Sequence, residues 1–189
     1  RPPRPQACAK RARSVLVRTG RAPGWFHRAL NANLYRMTLG IGDRAPEFTL
    51  SNQYGVKVSL SDFHGKKNVV IMFYPFAFSG LCTGELCTIR DRGSDFINEK
   101  TEFLGISCDP VHSLKAYSEQ EGFTHSLLSD FYPHGAVADE YGALFEDKGF
   151  ATRATFVIDK EGFIRWAVIN GPGEQRNADE YAAALAELA

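Results

Sequence analysis

Acidic side chains are missing from the first 36 residues, which carry nine Lys or Arg and neither Asp nor Glu. The whole chain balances 22 basic against 22 acidic residues, so residues 37–189 set 13 basic against all 22 acidic ones, a net of −9. An acid-free, Arg-rich leader fits an organellar transit peptide, a nucleic-acid-binding arm, or sequence foreign to the native protein. The third reading is favoured, because the chain opens without Met, its first Met is Met37, and the first folding pattern begins at Ile41. The expected division is a basic leader over 1–36, disordered or non-native, and one domain over 37–189, with no nucleic-acid partner.

Long apolar runs are also lacking. The longest, Val69 to Phe78, spans ten residues and is broken by Pro75, whereas a bilayer-crossing helix needs about twenty. The leader's Ser14-Val15-Leu16-Val17 is too short for the apolar segment of a secretory signal. The expectation is a cytoplasmic protein without a membrane partner, organellar if the leader is a genuine transit peptide. Cysteine is scarce: Cys8, Cys82, Cys87 and Cys108. In a reducing compartment four thiols do not make a disulfide framework, which leaves catalysis, metal binding or burial. The five histidines (His27, His64, His112, His125, His134) include no pair four apart, so the spacing of a zinc helix is absent and neither metal nor cofactor is expected.

What remains is a chain of 189 residues with ordinary apolar and charged content, enough for one globular core. Phe48–Leu50 and Val56–Leu60 flank the turn formers Asn52-Gln53-Tyr54-Gly55 and read as a hairpin decorating a main sheet. Asn68–Phe73 is a continuous β-branched and aromatic run, the pattern of a strand covered on both faces. An amphipathic helix follows from about Gly80 to Asn98, bent or divided at Gly93. Phe103–Cys108 is a second buried strand, and His112–Gln120 a second helix closed by Gly122. Short Leu127-Leu128, a polar turn over 131–135 and a brief helix near Val137–Tyr141 come next. Thr155–Ile158 and Phe163–Val168 flank Asp159-Lys160-Glu161-Gly162, a strong hairpin signal, and a helix from Asn177 to Leu188 ends the chain. A βαβ unit followed by a hairpin and a helix predicts an α/β, thioredoxin-like fold, a central mixed sheet flanked by helices with an N-terminal hairpin. A flavodoxin-like sheet would continue the strand–helix alternation.

The chemistry concentrates where the first buried strand gives way to a helix, over Tyr74 to Cys87. A cysteine in a helix's first turn has its thiolate favoured by unpaired backbone N–H groups and the positive end of the helix dipole. Pro75, Ser79 and Cys82 spell Pro, three residues, Thr or Ser, two residues, Cys, and this resembles the peroxiredoxin signature. The stretches 77–86, 127–137 and 153–159 are similar to the alkyl hydroperoxide reductase E branch of that family, a likeness covering about residues 38–189. The resemblance implies that Cys82 is the peroxidatic cysteine, that Pro75 shields it, and that Ser79 offers its hydroxyl to the peroxide. It further implies that Arg153 polarises the peroxide and stabilises the thiolate, and that Glu85 orients the arginine. The family more often has Thr at the position of Ser79. Attack on a hydroperoxide leaves Cys82 as a sulfenic acid.

Cys87 follows Cys82 with four residues between, a spacing that resembles the bacterioferritin comigratory branch, in which the second cysteine resolves the first. In an intact α-helix residues five apart lie roughly 8–9 Å apart at Cα, too far for a disulfide, so bridging requires local unwinding between Thr83 and Leu86. Resolution by Cys87 is the expectation; the alternatives are a one-cysteine peroxidase resolved by an external thiol, or a peroxide sensor or holdase. The implied partners are a hydroperoxide, a thiol reductant of thioredoxin, glutaredoxin or low-molecular-weight type, and a second copy in a homodimer. Thioredoxin-type exchange itself is disfavoured, since it uses two residues between its cysteines. Plainer readings stand beside these: Ser79 as a helix N-cap, Glu85 as an acidic residue of a first helical turn, Arg153 as a surface charge, and Cys87 and Cys108 as buried thiols. Tyr74, Phe76 and Phe78 line a substrate mouth or the core, and His134 is placed near the pocket rim by resemblance alone.

Overall fold

The computed structural model describes residues 39–188; the leader and Met37 lie outside the described residues. One mixed seven-stranded sheet is built from β1 (Thr49–Asn52), β2 (Lys57–Ser59), β3 (Asn68–Phe73), β4 (Thr101–Ser107), β5 (Ser126–Ser129), β8 (Arg153–Ile158) and β9 (Ile164–Asn170), in the order β2-β1-β5-β4-β3-β8-β9. A separate two-stranded ribbon pairs β6 (Leu144–Phe145) with β7 (Phe150–Ala151). The helices are α1 (Gly80–Asp91), α2 (Gly93–Phe96), α3 (Val111–Glu121), α4 (Ala136–Glu140) and α5 (Ala178–Ala186).

Central strands alternate between two cores. Val69, Ile71 and Phe73 of β3 join Leu104, Phe156 and Tyr141 on one face, while Val70 and Met72 join Leu86, Leu114, Tyr117 and Tyr181 on the other. Side chains in a strand point to opposite faces, so a strand covered on both sides must be apolar throughout. All six β3 residues are buried. Helices α1, α3 and α5 cover one face; α4 and the segment around Ala45, Phe48 and Leu60 cover the other. Parallel pairing of β3 with β4 and β4 with β5 comes from the right-handed strand–helix–strand crossovers through α1–α2 and α3. Antiparallel β8 and β9 then add to the opposite edge of β3, which excludes the flavodoxin-like alternative.

Two expectations shift and a third holds. The N-terminal hairpin does not merely decorate the sheet: β1 pairs antiparallel with β5, so the hairpin extends the main sheet, and Phe48 lies in the core ahead of the strand. Its turn is held by the Asn52 side chain, which accepts from the backbone N–H of Tyr54 and Val56. The long helix is divided at Gly93, as its sequence suggests, with α1 closing at Asp91. Strand β8 begins two residues earlier than its apolar run, at Arg153, which is therefore inside the strand and not beside it.

Candidate active site

Strand β3 delivers the chain to the site. Beyond Phe73, Tyr74 N–H still donates to the Ile106 carbonyl at 3.0 Å, after which Pro75–Ser79 turns the backbone into α1. The turn is tied to the neighbouring β4–α3 connection by Asp109, whose carboxylate accepts from Ala77 N–H at 2.9 Å and from the Ser107 hydroxyl at 2.8 Å. Cys82 is the third residue of α1, in its first turn, and is wholly buried beneath this turn together with Pro75.

The sheet register brings the arginine from the far end of the sequence. Antiparallel pairing of β3 with β8 sets Met72 opposite Thr155, so two steps on Arg153 lies level with Tyr74. Arg153 shares the strand face of Thr155 and Val157, which is the face under α1. Its Nη2 donates to Cys82 Sγ at 3.4 Å, its Nη1 to Glu85 Oε2 at 2.6 Å and its Nε to the Pro172 carbonyl at 2.7 Å. Only 2% of Arg153 is exposed, so it is no surface charge.

Glu85 is the sixth residue of α1, a turn beyond the first, and it faces inward at 3% exposure, which overturns the reading of a solvent-facing helix-start acid. Its carboxylate lies between two guanidinium groups. Arg176, from the segment before α5, gives it a backbone N–H at 2.9 Å, Nε at 3.2 Å and Nη2 at 2.6 Å, and sends Nη1 to the carbonyls of Phe73 and Ala154. Burial alone would raise the Glu85 carboxyl; the hydrogen bonds and charge of Arg176, joined by Arg153, outweigh it and hold the group below the usual carboxylate range. Two buried cations, Arg153 and Arg176, thus share one buried anion, Glu85, beside the sulfur. Sequence reasoning missed Arg176 and Asp109. Neither sits in a motif, and Arg176 meets Glu85 only through the return of the chain after β9.

Ser79 occupies the N-cap position, yet its side chain makes no capping bond; its hydroxyl donates to the Phe76 carbonyl at 3.1 Å. The first-turn N–H groups of α1 thus have no acceptor in Ser79, and the capping role is set aside. Tyr74 is core, fully buried, while Phe76 and Phe78 are about half exposed, Phe76 packing on Phe150 at 4.7 Å and Phe78 on Tyr117 at 4.8 Å. Cys87 is a half-buried free thiol, and α1 is unbroken between it and Cys82. Cys108 is a buried thiol one residue past β4, pushed up to about 11 by burial and by the Asp130 carboxylate, which suits the inert reading. His134 bonds the Gly149 carbonyl and packs edge-on to Phe131.

Residues 41–167 match the model of the AhpC/TSA family. The chain is 45% identical over 150 residues to alkyl hydroperoxide reductase E of Mycobacterium tuberculosis, an alignment covering 79% of this chain and 98% of that protein. Among solved structures, it is similar to peroxidoxin BcpB from Mycobacterium tuberculosis, with a TM-score of 0.72, 31% identity, and coverage of 80% of this chain and 99% of that one. It also resembles AhpC of Enterococcus faecalis, with a TM-score of 0.71, 30% identity, and coverage of 78% and 90%.

Proposed function

The chain belongs to the AhpC/TSA family of peroxiredoxins, and from that premise we propose how its residues divide the work of a thiol-dependent peroxidase. Cys82 attacks one oxygen of a hydroperoxide as the thiolate. The O–O bond breaks, the distal oxygen leaves as water or an alcohol after taking up a proton, and the sulfur becomes a sulfenic acid. The observation that carries this reading is the 3.4 Å contact from Arg153 Nη2 to Cys82 Sγ, inside a buried cluster of two cations and one anion at a helix start. A fixed guanidinium needs no reorganisation as negative charge moves along the breaking bond. Ser79 supplies a hydroxyl at the same turn, Pro75 keeps bulk water off the sulfur, and Glu85 with Arg176 fixes the fork of Arg153.

Cys87 resolves the sulfenic acid after α1 opens, and a thiol reductant of thioredoxin, glutaredoxin or low-molecular-weight type regenerates both thiols; the working unit is a homodimer. One observation favours a second reading, resolution by an external thiol: the segment that must unwind contains Glu85 and Leu86, the first ion-paired and both buried. Peroxide-dependent oxidation of a thiol donor by wild type, Cys82→Ser and Cys87→Ser tests the scheme. Cys82→Ser is expected to lose turnover entirely. Mass spectrometry after one equivalent of peroxide decides the second step: a Cys82–Cys87 bridge is expected, and a persistent sulfenic acid in wild type would transfer resolution to the external thiol.

A further inference from the structure

The turn ahead of Cys82 and the turn behind it are both braced by one side chain of α3. Tyr117 is fully buried, and its hydroxyl lies 2.8 Å from the hydroxyl of Thr83, the residue directly after Cys82. Its ring packs on Phe78 at 4.8 Å and on Phe123 at 5.1 Å. Phe78 has a φ of 62°, a left-handed conformation that a bulky side chain adopts only where the surroundings hold it. Strain therefore sits one residue before the helix N-cap, and the ring that covers it belongs to the same residue that ties down the first turn.

Thr83 opens the stretch whose unwinding lets Cys87 approach Cys82, so the Thr83–Tyr117 bond must break at the start of that motion. Further along α1, Arg90 donates to the Glu121 carbonyl at the end of α3 at 2.6 Å, which holds the far side of the stretch. We propose that Tyr117 is a positioning residue for the peroxidase reaction, a latch on the first turns of α1 that keeps Cys82 in its closed, Arg153-bound place and sets how often residues 83–87 open. The proposal rests on the reading of Cys82 as the attacking thiol. In the opened form the sulfenic acid of Cys82 condenses with the Cys87 thiol, forming the S–S bond and releasing one water, with no further oxidant.

Amide hydrogen exchange of the reduced full-length protein reads the latch directly, independently of what Cys87 does. Tyr117→Phe keeps the ring on Phe78 and Phe123 and removes only the hydroxyl; Thr83→Val removes the partner. Losing one neutral hydrogen bond is expected to speed exchange of the 83–87 amides roughly fivefold, with β4 and β8 unchanged. The double variant is expected to exchange no faster than either single one, since both remove the same bond. Unchanged exchange at 83–87, an equal acceleration across β4 and β8, or additive effects in the double variant would each overturn the latch. After one equivalent of hydrogen peroxide, Tyr117→Phe is expected to form the Cys82–Cys87 bridge faster by the same factor. Faster exchange with no bridge in either protein upholds the latch and removes Cys87 from resolution.

Discussion

The three kinds of nitrogen in the Arg153 guanidinium are committed to three different neighbours, the Cys82 sulfur, the Glu85 carboxylate and the Pro172 carbonyl. A planar fork held at each of its three nitrogens has one orientation, and a lysine in its place would supply a point charge without that geometry. Arg153→Lys is therefore expected to keep the fold, seen as an unchanged far-UV spectrum, while kcat/KM for hydroperoxide drops on the order of 100- to 1000-fold. Retained wild-type turnover would mean that charge alone suffices at this position. The place of Cys82 in a helix's first turn is legible in the sequence because it depends on neighbours within one turn, while the role of Pro75 is implied by resemblance. The Arg153 role is legible only through resemblance, since nothing local marks an arginine as buried.

Elements legible from local pattern are those whose packing surrounds them evenly. Strands β3 and β4 read out as apolar runs because helices cover both sheet faces, and the β8–β9 hairpin reads out because Gly162 takes a φ of 89° in the connecting turn. The β6–β7 ribbon shares that turn chemistry, with Gly149 at a φ of 67° closing Glu146-Asp147-Lys148-Gly149, but two residues per strand give no periodicity to mark what the turn connects. Gly105 in the middle of β4 illustrates an element choice made by its neighbours. A Cβ there would stand 2.9 Å from Leu127 Cδ2 and 3.4 Å from Tyr74 Cε1, close beneath Leu86 of α1. Leu127 is fully buried and has little room to withdraw, so Gly105→Ala is expected to cost about 1–3 kcal/mol in urea unfolding. Equal midpoints for variant and wild type would show that this floor repacks freely.

For the whole molecule, acid stability gathers contributions from opposite ends of the sheet. Glu85 is held below the usual carboxylate range, so its pairing stabilises fully above its unfolded value near 4.3 and is lost as pH falls through its lower folded value. His125 acts earlier. It is buried between Phe103 and Phe123, both ring nitrogens lack a partner, and burial, helped by the Arg90 charge, lowers it to about 4. Below its unfolded value near 6.5 the unfolded chain takes up a proton that the folded one refuses, so stability falls from that pH down to about 4. His125→Leu is expected to remove roughly 2–3 kcal/mol of the stability lost between pH 7 and pH 4.5, measured by urea unfolding at both values. Parallel pH profiles for the two proteins would place the acid sensitivity elsewhere.

The amino-acid sequence by itself determined the order and type of the main elements, the strand-to-helix turn bearing Pro75, Ser79 and Cys82, and the α/β class, because each depends on neighbours within a few residues. Tertiary structure alone decided that the N-terminal hairpin joins the main sheet through β5 and that Arg153, Glu85 and Arg176 share one buried cluster. Those outcomes follow from antiparallel register and from the path of the chain after β9, which bring together residues up to 91 positions apart. Charges at such separations meet only when a folded sheet leaves them no solvent and no other partner.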